Sequence, residues 1–104
     1  MFVISVLRVK GYDSSGEYLK EIDLPEEDQY YEYFHLDTNF LTIRPDFGRL
    51  KHAAHFGSIE AAEAAFNKCK HMIKDIVCAH QYDFSTLAIR EIVCEPRKKL
   101  TIEE

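Results

Sequence analysis

The apolar and polar positions divide the chain into short stretches separated by turn residues. The N-terminal stretch FVISVLRV is apolar at both odd and even positions, which is typical of a strand covered on both faces. GYDSSG then supplies turn residues, and EYLKEIDL predicts the returning strand of a hairpin. We therefore expect the first strand to lie in the middle of a sheet.

The sequence HFGSIEAAEAAF, at positions 55–66, marks the start of a predicted long helix. Ser58 is the expected N-cap, because its hydroxyl accepts a hydrogen bond from the first turn, and the carboxylates of Glu60 and Glu63 suit the helix dipole. Since these groups compete for the positive end of the helix, we interpret the Gly57-Ser58 junction as structural and not as a phosphate site. The apolar stripe predicts a helix of about six turns, from residue 58 to about 80. Its members are Ile59, Ala62, Phe66, Cys69, Ile73, Ile76 and Val77.

The remaining segments predict further strands and turns. We expect a short turn followed by a strand in LPEEDQYYEYFHL, strands at FLTIR and TLAIREIVC, and an edge strand at LTIEE; RPDFG, QYDFS and EPRKK are expected to interrupt them. The order predicts an α+β fold in a single domain, 1–104, with one long amphipathic helix packed on a mostly antiparallel sheet of about four to five strands. Because one helix leaves a sheet face short of cover, we also expect a homodimer.

The net charge of −5 is concentrated in the first third of the 104-residue chain. Residues 1–32 hold eight acids and three bases, whereas residues 33–104 hold ten of each. Such a field repels phosphate backbones and attracts basic surfaces, so we expect a protein partner with a basic surface and no direct binding of nucleic acid. The chain contains no apolar run long enough to cross a membrane and no signal-peptide pattern, so a cytoplasmic protein is expected.

The densest acidic run is followed at once by the densest aromatic cluster. Four aromatics in the five positions 30–34 cannot all point into a core if the segment is a strand, because alternate side chains face opposite ways. We therefore predict a partner-binding surface here. Its residues are Glu26, Glu27, Asp28, Tyr30, Tyr31 and Tyr33. The expected function is that of a small non-enzymatic protein-binding adaptor or modulator, or of an acidic inhibitor that mimics nucleic acid.

The histidines and cysteines keep a second class of function open, a small metal-binding or thiol-dependent enzyme. His52 and His55 have a spacing that suits one helical face and are the candidate metal ligands, with His71, His80 and Cys69 also available. Cys69 lies on the apolar stripe and is expected to be an inert buried thiol, whereas Cys78 lies off the stripe and is the better candidate for reactivity. No P-loop, dinucleotide or nucleophile-elbow motif occurs, so no cofactor is expected.

The segment LKHAAHFGSIEAAEAAF resembles a pattern found in small, largely uncharacterised proteins of phages and mobile elements. In that pattern an Ala and a Phe precede Ser-x-Glu-x-Ala at the start of a helix that leads back into a strand. The matching positions are Ala54, Phe56, Ser58, Glu60 and Ala62, and the resemblance extends over residues 50–92. It implies a fold module and a mobile-element origin, and it carries no reaction or site.

Overall fold

A computed structural model describes residues 1–13, 16–37, 43–76, 79–92 and 96–102. The strands are β1 (Phe2–Arg8), β2 (Lys10–Asp13), β3 (Lys20–Asp23), β4 (Tyr30–Asp37), β5 (Arg44–Gly48), β6 (Tyr82–Glu91) and β7 (Pro96–Lys99), and the helix α1 is Ile59–Ile73. Three short 3₁₀ helices lie at Glu26–Asp28, Leu50–His52 and Ala79–Gln81. The predicted α+β class with a mostly antiparallel sheet is confirmed. Across the described residues, the model contains no helix with the length and apolar character needed to cross a membrane.

The main sheet has five strands in the order β5-β4-β1-β6-β7, and every neighbouring pair is antiparallel. β1 occupies the centre, as its apolar pattern predicts, and its residues 3–6 are buried. The register places Val6 opposite Glu32 of β4 and Ile4 opposite Ile89 of β6. Residues that are directly opposite share a face, so this register decides which side chains meet α1.

Strands β2 and β3 form a separate two-stranded sheet, and we call this sheet together with residues 16–19 the hairpin arm. The sequence predicted a hairpin that returns at 17–24, but the returning strand pairs with β2 and not with β1. Two backbone hydrogen bonds fix the base of the arm: Val9 N donates to Gln81 O and Leu24 N donates to Val9 O, each at 2.8 Å. The arm therefore leaves the main sheet directly after the end of β1.

Helix α1 begins as predicted and ends earlier than predicted. The Ser58 hydroxyl accepts a hydrogen bond from Ala61 N at 3.1 Å, which confirms the N-cap. The helix has 15 residues and ends at Ile73, so the predicted continuation to about residue 80 is wrong. Beyond it the bonds tighten to three-residue spacing, with Ile76 N donating to Ile73 O at 3.2 Å. Positions 77–78 lie outside the described residues.

Three predicted interruptions belong instead to strands. RPDFG forms the edge strand β5, where a proline is tolerated because one side of an edge strand needs no N–H donor. QYDFS supplies the start of β6, which passes an irregularity in its pairing with β1. The last strand falls at Pro96–Lys99, so EPRKK is not a turn and LTIEE follows the strand. The predicted strand FLTIR is at 40–44; its first three residues lie outside the described residues, and its last residue, Arg44, begins β5.

The main core lies between α1 and one face of the sheet. Its aromatic centre is Phe47, whose ring centroid is 6.2 Å from that of Phe34 and 5.4 Å from that of Tyr82. The helix contributes four buried side chains on one side, Ala62, Phe66, Cys69 and Ile73, and the sheet contributes Ile4, Val6, Leu87 and Ile89. These residues account for the side of the helix that the sequence predicted to pack.

The opposite face of the sheet buries a small second layer. Val3, Ser5 and Ala88 lie there and are fully or almost fully buried. Arg90 crosses this face: its Nε donates to Ser5 Oγ at 3.3 Å, and its guanidinium carbon lies 4.4 Å from the centroid of the Tyr31 ring. The protein's own long side chains thus cover part of the face that motivated the expectation of a homodimer, which stays a prediction.

The buried helix face gives the first testable prediction. Phe66→Ala removes a ring that is 1% exposed and is expected to lower the free energy of unfolding by about 3 to 5 kcal/mol. Asn67→Ala, on the exposed side of the same turn, is the matched control and should change it by about 0.5 kcal/mol or less. Urea denaturation followed by circular dichroism measures both. Equal midpoints for the two variants would contradict the assignment of the packed face.

Candidate protein-binding surface and adjoining cleft

The arm and the turn that follows it carry a net negative charge equal to that of the whole chain. Residues 10–28 contain seven acids and two bases, and this balance of −5 equals the net charge of the protein. Lys10 Nζ lies 3.7 Å from Glu21 Oε1 and 3.6 Å from Asp23 Oδ1, and His80 Nε2 lies 2.5 Å from Glu21 Oε2. Four further carboxylates are exposed, those of Glu17, Glu26, Glu27 and Asp28. The surface is therefore acidic, with local compensation by Lys10 and His80.

The arm also exposes large apolar side chains. Tyr18 is 80% exposed and Leu19 is 69% exposed, and Tyr12 and Ile22 on the paired strands are exposed as well. The sequence reasoning missed this group, because it placed EYLKEIDL in the main sheet, where such residues would be covered. The signal was present in GYDSSG, whose turn residues are followed by a stretch too polar to fill a second sheet strand. The arm thus combines acids with exposed rings and a leucine.

The predicted acidic turn lies between the arm and β4. Glu26–Asp28 forms a 3₁₀ helix with no buried residue. Asp28 N donates to Pro25 O at 2.9 Å, and Gln29 Nε2 donates to Leu24 O at 3.2 Å, so the turn is fastened next to the base of the arm. Its three carboxylates therefore form a short continuation of the acidic arm.

The register separates the three predicted tyrosines. Tyr30 is opposite Arg8 and so lies on the helix side of the sheet, whereas Tyr31 is opposite Leu7 and lies on the reverse face. Tyr33, opposite Ser5, shares that reverse face and is half-buried. Tyr30 is 49% exposed and Tyr31 is 41% exposed. The three predicted tyrosines therefore lie on both faces at one end of the sheet, and among them only Tyr30 lies on the helix side.

A buried polar network lies under Tyr30. Arg8 Nη1 donates to Glu32 Oε1 at 2.8 Å, Arg8 Nε donates to Lys10 O at 3.1 Å, and Arg8 Nη2 donates to Gln81 Oε1. The Tyr82 hydroxyl donates to the second oxygen of Glu32 at 2.7 Å. Glu32 belongs to the acidic excess of the first third, but it is a buried structural group and does not contribute to the partner surface.

The network shifts the ionisation of its members. Burial by itself lowers the pKa of Arg8, but the hydrogen bond to Glu32 and the nearby negative charge outweigh it, so the net shift of that pKa is upward. Burial, and then the hydrogen bond to the Glu32 carboxylate, raises the pKa of Tyr82 far above its ordinary value. Arg8 therefore stays charged and Tyr82 stays neutral well into alkaline solution.

A cleft of about 570 Å³ opens beside this network. Arg8, Glu32 and Tyr82 line it from the sheet, and Met72 and Ile76 line it from the C-terminal end of α1. Because the helix ends at Ile73, it covers the apolar part of the sheet face and leaves this polar part open to the cleft. The volume lies within the range of small-molecule sites, about 300 to 1,000 Å³.

The histidines do not assemble into a site. His52 ends a 3₁₀ helix and His55 lies outside any helix or strand, and both are exposed, so their spacing does not place them on one helical face. In the described parts of the chain, no three His, Cys, Asp or Glu residues are grouped so that they could hold a metal ion. Cys69 is a buried free thiol whose pKa is raised by burial, as expected for an inert cysteine. Cys78, the other thiol candidate, lies outside the described residues.

Comparisons of the chain with known proteins identify no family. The chain matches no protein-family model, and searches among curated proteins and among solved structures found no match.

The pKa of Tyr82 gives a prediction for alkaline solution. An unfolded tyrosine ionises near pH 10, whereas the folded Tyr82 stays neutral to higher pH, so its contribution to stability is fully present below about pH 10 and is lost above it. The free energy of unfolding should fall by about 1.4 kcal/mol per pH unit from this group. Tyr82→Phe should be less stable by about 1 to 3 kcal/mol at pH 8 and should lack this slope.

Urea denaturation at pH 8, 10 and 11 measures both effects. Tyr18→Phe, on the exposed arm, is the matched control and should keep the slope of the parent protein. Parallel curves for the parent protein and Tyr82→Phe across this range would contradict the assignment of Tyr82.

Proposed function

We propose that this protein is a small non-enzymatic adaptor or modulator that binds a basic surface of another protein. The hairpin arm, the turn Glu26–Asp28 and Tyr30 form the binding surface. The observation that carries the proposal is the arm itself: it lies outside the main sheet and exposes Tyr18 and Leu19. The net charge of the chain lies on the same segment. The main core of the domain includes none of these side chains.

The two kinds of side chain on this surface favour different stages of binding. Exposed carboxylates accelerate the encounter with a basic partner and make it sensitive to salt. Tyrosines bury a large area at small entropic cost and are enriched at interface hot spots. Tyr18 is five residues from the base of the arm at Asp23, a distance of at most about 16 Å, so the surface is long enough to contact a groove.

The carboxylates of the turn test the first stage. Changing Glu26, Glu27 and Asp28 together to Lys should slow association with the partner by about tenfold or more at low salt and flatten its salt dependence, because the steering field is reversed locally. The partner is first isolated by affinity capture, and association rates are then measured by surface plasmon resonance at two ionic strengths.

Two single charge reversals compare the proposed surface with a surface elsewhere, and the second of them is the matched control. Glu27→Lys lies on the proposed surface, and Glu60→Lys lies on the exposed side of α1. Only Glu27→Lys should slow association. A nucleic-acid oligonucleotide that competes for the same partner would identify the acidic surface as a mimic of nucleic acid. Equal association rates for the parent protein and the folded triple-lysine variant would contradict the proposal.

The aromatic side chains test the second stage. Tyr18→Ala and Tyr30→Ala should each raise the dissociation rate by about tenfold to thirtyfold, the effect of losing about 1.4 to 2 kcal/mol at a hot spot. Tyr33→Ala is the matched variant on the reverse face, where its register partner is Ser5. A larger effect at Tyr33 than at Tyr18 and Tyr30 would move the binding surface to the reverse face of the sheet and contradict the role of the arm.

A further inference from the structure

The cleft at the end of α1 has features that the protein-binding surface does not use. Its sheet side carries the Arg8, Glu32 and Tyr82 network, in which Glu32 accepts hydrogen bonds from both Arg8 and Tyr82. The Arg8 guanidinium is held by Glu32, by Gln81 and by the carbonyl of Lys10, so it is not oriented toward a ligand. The charges of Arg8 and Glu32 offset one another, so this side of the cleft carries no net charge.

The remaining charged groups of the cleft are mostly acidic. Asp37 and Arg44 are opposite each other in the register of β4 and β5, so their charges offset one another within the lining. Asp46 and Asp75 also line the cleft, and among the described residues Arg8 and Arg44 are its only lining bases. Asp75 follows the C-terminus of α1, where the helix dipole also favours positive charge. The cleft is therefore complementary to a cation.

The other walls are apolar. Pro45 and Phe47 of β5 face the cleft together with Met72 and Ile76 at the end of the helix. The aliphatic part of a small ligand would fit between these side chains, and its burial would supply the hydrophobic part of the binding free energy. We propose that the cleft binds an ammonium or guanidinium group carried on an aliphatic stem, with the cation at Asp46 and Asp75 and the stem against Phe47 and Met72. This chemistry is found in free alkylamines and in the side chains of lysine and arginine.

Three six-carbon probes test the proposal on the unmodified protein. Hexylamine, hexanol and hexanoate are titrated while the backbone amide signals are followed by nuclear magnetic resonance. Hexylamine should shift the amides of Asp46, Met72 and Ile76 in a saturable way in about the millimolar range expected for a fragment of this size. Hexanol should bind at least about tenfold more weakly, and hexanoate should bind more weakly still.

Two isosteric variants locate the charge. Asp46→Asn keeps the side-chain oxygen that accepts from Phe47 N at 2.8 Å, so the strand should fold as before. Asp46→Asn and Asp75→Asn should each weaken hexylamine binding by about tenfold, as expected for one lost charge-assisted hydrogen bond. Glu60→Gln, on the helix face away from the cleft, is the matched control and should leave the affinity unchanged.

A further probe distinguishes the two sources of the cation. It is lysine with its α-amino group acetylated and its α-carboxyl group amidated, so that only the side-chain ammonium group is charged. Binding as tight as that of hexylamine would assign the cleft to a side chain of a polypeptide, and binding of hexylamine alone would assign it to a free amine. Equal affinity for hexylamine and hexanol, preference for hexanoate, or no saturable shift in the cleft would each overturn the proposal. None of these results depends on recovery of the protein partner, so they do not bear on the role of the arm.

Discussion

The largely buried ion pair between Arg8 and Glu32 is the interaction on which the arrangement of this protein depends. Placing two charges out of water costs several kcal/mol for each ion, so both must be matched within the protein. Glu32 accepts hydrogen bonds from Arg8 and from Tyr82, and Arg8 donates also to Gln81 and to the carbonyl of Lys10. These contacts connect β1, β4, β6 and the base of the hairpin arm at one end of the sheet.

The position of this pair explains why two kinds of surface meet there. Toward the other end of β1, the sheet face is apolar and α1 covers it, with Phe66 and Ile73 almost fully buried. Past Ile73 the sheet presents Arg8, Glu32 and Tyr82. These side chains form hydrogen bonds with one another and do not need an apolar cover. The helix can end there, the cleft opens beside its last turn, and the chain beyond Arg8 leaves the sheet as the arm.

The sequence was sufficient for the parts of the fold that depend on local chemistry. The two-sided apolar pattern of FVISVLRV predicted the central strand, and Ser58 predicted the helix start, because a cap and a stripe are properties of neighbouring residues. The length of the helix was overestimated, because Ile76 extends the apolar stripe although it packs beyond the last helical turn. The proline and glycine of RPDFG predict an interruption, whereas the edge position that tolerates Pro45 depends on the order of strands in the whole sheet.

The candidate site was predictable in composition but not in arrangement. The acidic run and the tyrosines are evident in the sequence, whereas the face on which each tyrosine lies follows from the register between β4 and β1. Glu32 is indistinguishable in the sequence from the exposed acids before it, and only its pairing with Arg8 and Tyr82 identifies it as structural. The exposed pair Tyr18 and Leu19 required knowledge that β2 and β3 form a sheet of their own.

The central claim is that a partner protein binds the acidic arm. Hydrogen–deuterium exchange of the protein, alone and saturated with the captured partner, tests it most directly, because the measurement maps the contact without altering any residue. The account predicts added protection of amides within 16–31 and unchanged exchange along the exposed side of α1. Protection confined to α1 or to the edge strand β5, with the arm exchanging as in the free protein, would contradict it.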